Sequence, residues 1–206
     1  MVTTTNYSYD FYLRCIYSGN RFARKAENRL TMLPNDLVKA DSSALDKISQ
    51  QLRDLEYSTD NGTDVLNHAK LFVETYNNLV ESSGTSDSDQ VVRMQKELKK
   101  MTKEHKSELE DIGITISSNG KLNMDKKKFA ESSPYKIESV LGKDSTFVSK
   151  LSTLSKKMKR TAQRSAVPPK KEESGKTANN TVAAPGSITN TPGTGIVSST
   201  KIDVVT

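Results

Sequence analysis

The sequence predicts a mainly α-helical protein, an elongated antiparallel helical bundle or coiled coil with one β-hairpin, followed by a disordered polar tail. Three observations lead there. Apolar residues recur at spacings of three and four over most of residues 10–164. A single Asn-Gly pair, Asn119-Gly120, sits between two stretches of alternating apolar and polar residues. Only 33% of the 206 residues are hydrophobic, and four of the six prolines fall after Ser165. That composition leaves about 160 residues to build one modest core.

Residues 1–34 read as a basic N-terminal segment of helical period. Phe11, Tyr12, Cys15, Ile16, Phe22, Ala26 and Leu30 are interleaved with Arg14, Arg21, Arg24, Lys25 and Arg29. Gly19 interrupts this helix, and Pro34 is expected to stop it. Residues 35–164 form the expected helical domain. Asp36 is the predicted cap of a second helix with the stripe Leu37, Val38, Leu45, Ile48, Leu52 and Leu55. Thr63 opens a third, whose stripe runs Val65, Leu66, Ala69, Phe72, Val73, Tyr76, Leu79 and Val80. A fourth helix spans about 87–111 on the seam Val91, Met94, Leu98, Met101, His105 and Ile112. That heptad-like step predicts antiparallel coiled-coil packing against the third helix.

Gly113 ends the fourth helix, and residues 114–124 follow as the hairpin. A type I′ turn is expected at Asn119-Gly120. Asp125 caps a short helix to about Glu131, Pro134 breaks it, and a segment with Ile137, Val140 and Leu141 reaches Gly142. Ser145 opens a last helix carrying Phe147, Val148, Leu151, Leu154 and Met158. Residues 165–206, rich in Ser, Thr, Asn, Gly and Pro, bury too little to offset their ordering entropy.

Several classes of function are excluded or weakened. One cysteine, Cys15, and two separated histidines supply neither a disulfide framework nor a Cys/His zinc site, so no metal or cofactor is expected. No run of about 18 apolar residues exists to span a membrane. The opening lacks the basic-then-apolar layout of a cleaved signal peptide. Gly175-Lys176-Thr177 is no phosphate loop, because Lys170 stands where its first glycine belongs. Cys15 has no histidine near it in sequence to act as its base. His105 reads as a polar residue on an apolar seam, and His68 as a residue of a polar face. No constellation of an enzyme emerges.

The run Phe72-Val73-Glu74-Thr75-Tyr76-Asn77-Asn78-Leu79-Val80 is followed by a polar turn and a long charged helix. Then come Leu109-Glu110-Asp111-Ile112-Gly113-Ile114 and Ser118-Asn119-Gly120-Lys121-Leu122-Asn123-Met124-Asp125. This order resembles the carboxyl-terminal region of the flagellar hook-associated protein 2 family, the filament caps, over roughly residues 60–160. The resemblance implies a short, divergent, non-enzymatic member that works by helix packing in a flagellum-associated or cell-surface assembly. It also implies export without a cleaved signal to the bacterial flagellum or exterior, and a protein partner, either a flagellar axial protein or a second copy in a homo-oligomer. The alternative localisation is cytoplasmic.

The packing and interface candidates are Phe72, Val73, Tyr76, Leu79, Leu98, Met101, Ile112, Ile114, Ile116, Leu122 and Met124. Gly113, Asn119 and Gly120 are the expected turn and pivot positions. The rival reading is a basic adaptor binding an anionic polymer, nucleic acid or cell wall, through residues 143–164. Those residues hold seven cations against Asp144, and Lys156, Lys157, Lys159, Arg160 and Arg164 are the candidate anion-binding set. The absence of interleaved aromatics or a known motif argues against specific nucleic-acid recognition.

Overall fold

The computed structural model describes residues 8–165. The expected tail after Ser165, including Gly175-Lys176-Thr177, lies outside them. Four long helices carry the fold: α3 (Pro34–Asp54), α4 (Gly62–Gly84), α5 (Asp89–Glu104) and α9 (Thr146–Ser165). Short elements are α1 (Tyr9–Ile16), a 3₁₀ turn (Arg21–Arg24), α2 (Ala26–Arg29), α6 (Lys106–Asp111), α7 (Lys126–Glu131) and α8 (Pro134–Leu141). Strands β1 (Ile114–Ile116) and β2 (Leu122–Met124) pair antiparallel, with Thr115 opposite Asn123. The protein is thus mainly helical with one hairpin.

Polar contacts fix the directions of the long helices. Ser86 Oγ donates to Asn35 Oδ1 at 2.8 Å, which sets the end of α4 beside the start of α3. Tyr76 donates to Thr102 Oγ1 at 3.0 Å, and Gln95 Nε2 to the Val80 carbonyl at 2.7 Å, so α5 runs against α4. Ser152 Oγ donates to Asp46 at 2.6 Å and Lys159 Nζ to Ser43 Oγ at 3.3 Å, so α9 runs against α3. The rings of His105 and Phe147, 5.1 Å apart, join α5 and α9. The result is an up-down-up-down four-helix arrangement. Its most extensive interfaces are α3 with α9 and α3 with α4. Buried small residues, Ser42, Ala44 and Ser49 on α3 and Ser152, Ser155 and Ala162 on α9, permit close approach of helix axes.

Four expectations need correction. Pro34 starts α3 instead of ending a helix, with Leu33 at the N-cap where Asp36 was expected; a proline at the first helical position loses no intrahelical bond. The basic segment is broken into α1, a 3₁₀ turn and α2, because its polar interruption falls between two short apolar patches that each dock separately. The fourth helix divides at His105, and its seam faces both α4 and α9 instead of pairing with α4 alone. The hairpin turn is not type I′. Gly120 N–H donates to the Ser117 carbonyl at 2.9 Å, and Ser117 N–H to the Lys121 carbonyl at 2.8 Å. These bonds make a three-residue loop with Gly120 at φ 82° in the bulge position.

Gly113 has φ 80°, as a helix stop requires. Asp125 caps α7 by accepting from the Lys127 and Lys128 N–H groups, and Ser145 Oγ accepts the Val148 N–H at the head of α9.

The deepest charge in the fold is Asp41, fully buried in the middle of α3. Arg29 grips it bidentately, with both nitrogen–oxygen distances 2.8 Å, and also donates to the Ala23 carbonyl at 2.9 Å. Tyr17 donates to Asp41 at 3.0 Å and accepts from Asn78 Nδ2 at 3.1 Å. One carboxylate therefore ties the end of α1 and α2 to α3, and through Arg29 and Tyr17 reaches the 3₁₀ turn and α4. Burial opposes the Arg29 charge, but hydrogen bonding and attraction from Asp41 outweigh it and raise the Arg29 pKa.

Arg29→Met should leave Asp41 buried without a cation and destabilise the protein by about 3–5 kcal/mol in urea unfolding. A loss below about 1 kcal/mol would refute the central role given to this pair. Burial also raises the phenols of Tyr17 and Tyr76, the latter to about 12 against the opposing effect of its hydrogen bond with Thr102. Their neutral forms favour folding fully below the ordinary phenol pKa of 10.0, and that contribution is lost as pH rises through the folded values. Denaturant midpoints should therefore fall between about pH 10 and 12, and a midpoint flat over that window would contradict the burial of these rings.

Candidate functional site

The two sequence stretches that carry the family resemblance meet on one face of the bundle. Asn77, on α4, treats β2 as a neighbouring strand would. Its Nδ2 donates to the Leu122 carbonyl at 2.8 Å, and its Oδ1 accepts the Leu122 N–H at 2.7 Å. A side-chain amide offers one donor and one acceptor in a plane, so it can satisfy both backbone groups of a single edge residue. The periodic pattern marks Asn77 only as polar, and no local signal couples residues 45 positions apart.

Charged pairs surround this clamp. Lys121 Nζ contacts Glu81 at 2.8 Å. That hydrogen bond is the main reason the Glu81 carboxyl lies below its ordinary range; burial opposes the shift, and the Lys121 and Arg29 charges add to it. Tyr9 donates to the Glu74 carboxylate. Its phenol is pushed up by burial first and then by the bond to Glu74 and that group's charge. Between α4 and β2 lies an open groove of about 670 Å³, with Val73, Leu122 and Met124 in its wall and Lys70, Lys126 and Glu81 at its margin. It holds ion pairs and amides, and supports docking of a chain more readily than bond-making chemistry.

The predicted packing residues divide in two. Phe72, Tyr76, Leu79, Leu98, Met101, Ile112, Ile114 and Leu122 belong to the buried core, while Val73, Ile116 and Met124 are partly buried against it. Val73 and Met124 line the groove together with Leu122. Gly113 leaves no room for a side chain: a Cβ would stand 3.0 Å from the Phe129 nitrogen and 3.1 Å from the Asp125 carbonyl oxygen.

The predicted anion-binding set is split as well. Lys156 reaches Asp46 at 3.6 Å and Lys159 reaches Ser43, so both turn toward α3. Lys157, Arg160 and Arg164 face outward and make no ion pair among the described residues. Lys157 shares a groove of about 500 Å³ between α5 and α9 with Lys100, Lys150, Glu97 and Glu104.

One of the two histidines differs from expectation. His68 is 5% exposed instead of lying on a polar face. Its Nδ1 donates to the Asp64 carbonyl at 2.7 Å, and its ring lies tilted against that of Tyr12, centroids 4.5 Å apart. His105 sits as expected on the seam, its ring 5.1 Å from that of Phe147, with the exposed carboxylate of Glu108 2.9 Å from its Nδ1. Among the described residues no group of three or more His, Cys, Asp or Glu side chains is placed to hold a metal, and Cys15 is a half-buried free thiol. No described helix is long and apolar enough to cross a membrane.

Comparison with family models, curated proteins and solved structures finds no match.

Asn77→Ala should free both backbone groups of a strand residue that is 1% exposed, at a cost of about 1–3 kcal/mol. Hydrogen exchange at the Leu122 amide should speed up selectively. Unchanged exchange there would show that the hairpin is held by its apolar face alone.

Proposed function

We propose that this protein is a non-enzymatic interaction module of a flagellum-associated or cell-surface assembly, a short relative of the filament cap's carboxyl-terminal region that works by helix and hairpin packing. The observation that carries this reading is the Asn77 clamp. The asparagine of the Phe72–Val80 run grips the leucine of the Asn119-Gly120-Lys121-Leu122 run, so the two most specific parts of the resemblance explain each other physically. The partly buried Val73 and Met124 beside the clamp supply apolar area to a partner, which is an axial protein or a second copy.

A second reading, in which residues 143–164 bind an anionic polymer in an adaptor role, is favoured by Lys157, Arg160 and Arg164, three outward cations of α9 without ion pairs among the described residues. Salt separates the two. Counterion release makes polymer binding fall steeply between roughly 50 and 200 mM salt, whereas apolar packing holds.

The deciding experiment follows the tagged full chain in its native cells, with and without a working flagellar export apparatus. Export-dependent appearance in the medium or in sheared filaments is the expected result. Retention in the cytoplasm of both strains would overturn the flagellar role and leave the adaptor reading.

A further inference from the structure

The N-terminal segment carries a second constellation, apart from the groove and from α9. The turn between α1 and the 3₁₀ turn encloses a cavity of about 380 Å³ lined by Arg14, Tyr17, Ser18, Arg21 and Arg24. Three of five wall residues are arginines and none is acidic. A single carboxylate, Asp10, stands by, paired with Arg14 and at 3.5 Å from Arg24 Nη1. Lys47 reaches in from α3 and donates to Ser18 Oγ at 2.9 Å. Four cations thus gather around one acid, and Arg21 has no ion pair among the described residues.

We propose that this cavity binds a phosphoryl dianion, carried either by free phosphate or by a small phosphomonoester. Arg14, Ser18, Arg21 and Arg24 bring donor-bearing side chains to one concavity. Arg24 Nη1 is buried and makes no hydrogen bond among the described residues, and 3.5 Å to Asp10 is a charge contact only. A buried guanidinium nitrogen left in this state is costly unless an oxyanion accepts from it. Ser18 Oγ accepts from Lys47, which leaves its own hydrogen to be donated. Arginine forks match the oxygens of a phosphoryl group, and a dianion offsets most of the local excess of positive charge.

The backbone beneath these side chains is tied down. Ser18 N–H donates to the Cys15 carbonyl at 3.3 Å, Asn20 N–H to Tyr17 at 2.8 Å and Ala23 N–H to Asn20 at 3.1 Å. Tyr17 and Ala23 anchor the same stretch in the core, and the Tyr17 hydroxyl is committed to Asp41 and Asn78. The cations converge on a concavity instead of forming a track, and Tyr17, 1% exposed, offers no ring face for a base to stack upon. A single phosphoryl group fits these features better than a polymer backbone does.

The test is calorimetric titration of the full chain with inorganic phosphate and with phenyl phosphate, in chloride buffer of matched ionic strength. One saturable site is expected, weakened about tenfold or more by Arg21→Gln, whose exposed, unpaired side chain the fold does not require, and by Arg24→Gln. Phenyl phosphate, whose second pKa is about 6, should bind more tightly at pH 7.5 than at pH 5.5, while sulfate, dianionic throughout, should show no such gain. Binding of both phosphates would mean the site accepts an ester; binding of inorganic phosphate alone would mean it takes the free ion; each supports the proposal. No saturable heat beyond the chloride control, or affinity unchanged in both variants, would overturn it.

Discussion

The arrangement depends on a charge placed where water cannot reach it. Asp41 occupies a core position of α3, and an isolated carboxylate there would be prohibitively costly in free energy. Arg29, Tyr17 and, through Tyr17, Asn78 turn that cost into a constraint on geometry. The Arg29 fork accepts only a narrow range of orientations, so α2 cannot slide along α3 without breaking two bonds at once. The polar cluster does for the N-terminal segment what Asn77 does for the hairpin. In both places a short element with little apolar surface is held on a helix by hydrogen bonds that leave no alternative register.

Much of this architecture was legible in the sequence. The stripes on α3, α4, α5 and α9 mark the buried faces correctly, and the caps Asp125 and Ser145 and the stops at Gly113 and Gly142 fall where side-chain chemistry puts them. What the stripes do not carry is which face meets which. The α5 seam has the same period whether it faces one helix or the groove between two. Asp41 did leave a trace, since it falls on the apolar face between Val38 and Leu45, but a carboxylate in a stripe does not name its cation. The helix break at His105 has no glycine or proline to announce it, and the Asn77 clamp has no sequence signature because both partners look ordinary alone. The same limit applies to the cavity of Arg14, Arg21 and Arg24. The basic residues were visible, and their convergence was a product of the turn at Ser18–Asn20.

Charge is distributed with similar economy. The cations of α9 that meet α3 are tied to Asp46 and Ser43, while those on its far side are left to solvent or a partner. The groove beside β2 mixes Lys121 with Glu81 and Tyr9 with Glu74, so its electrostatics are largely settled within the chain. A partner there would find shape and apolar area more than net charge.

The order in which α9 joins the bundle has a consequence for biosynthesis. The Ser152–Asp46 and Lys159–Ser43 bonds link residues 106 and 116 positions apart, because α4, α5, α6, the hairpin, α7 and α8 intervene before α9 returns to α3. At about 5–20 residues per second a ribosome needs on the order of 5–20 s to supply that length. Within that interval α4 and then α5 emerge and can pack, while the face of α3 that α9 covers stays open. The nascent chain is then a bundle short of its closing strut, and whatever first meets that face during those seconds competes with α9 for it.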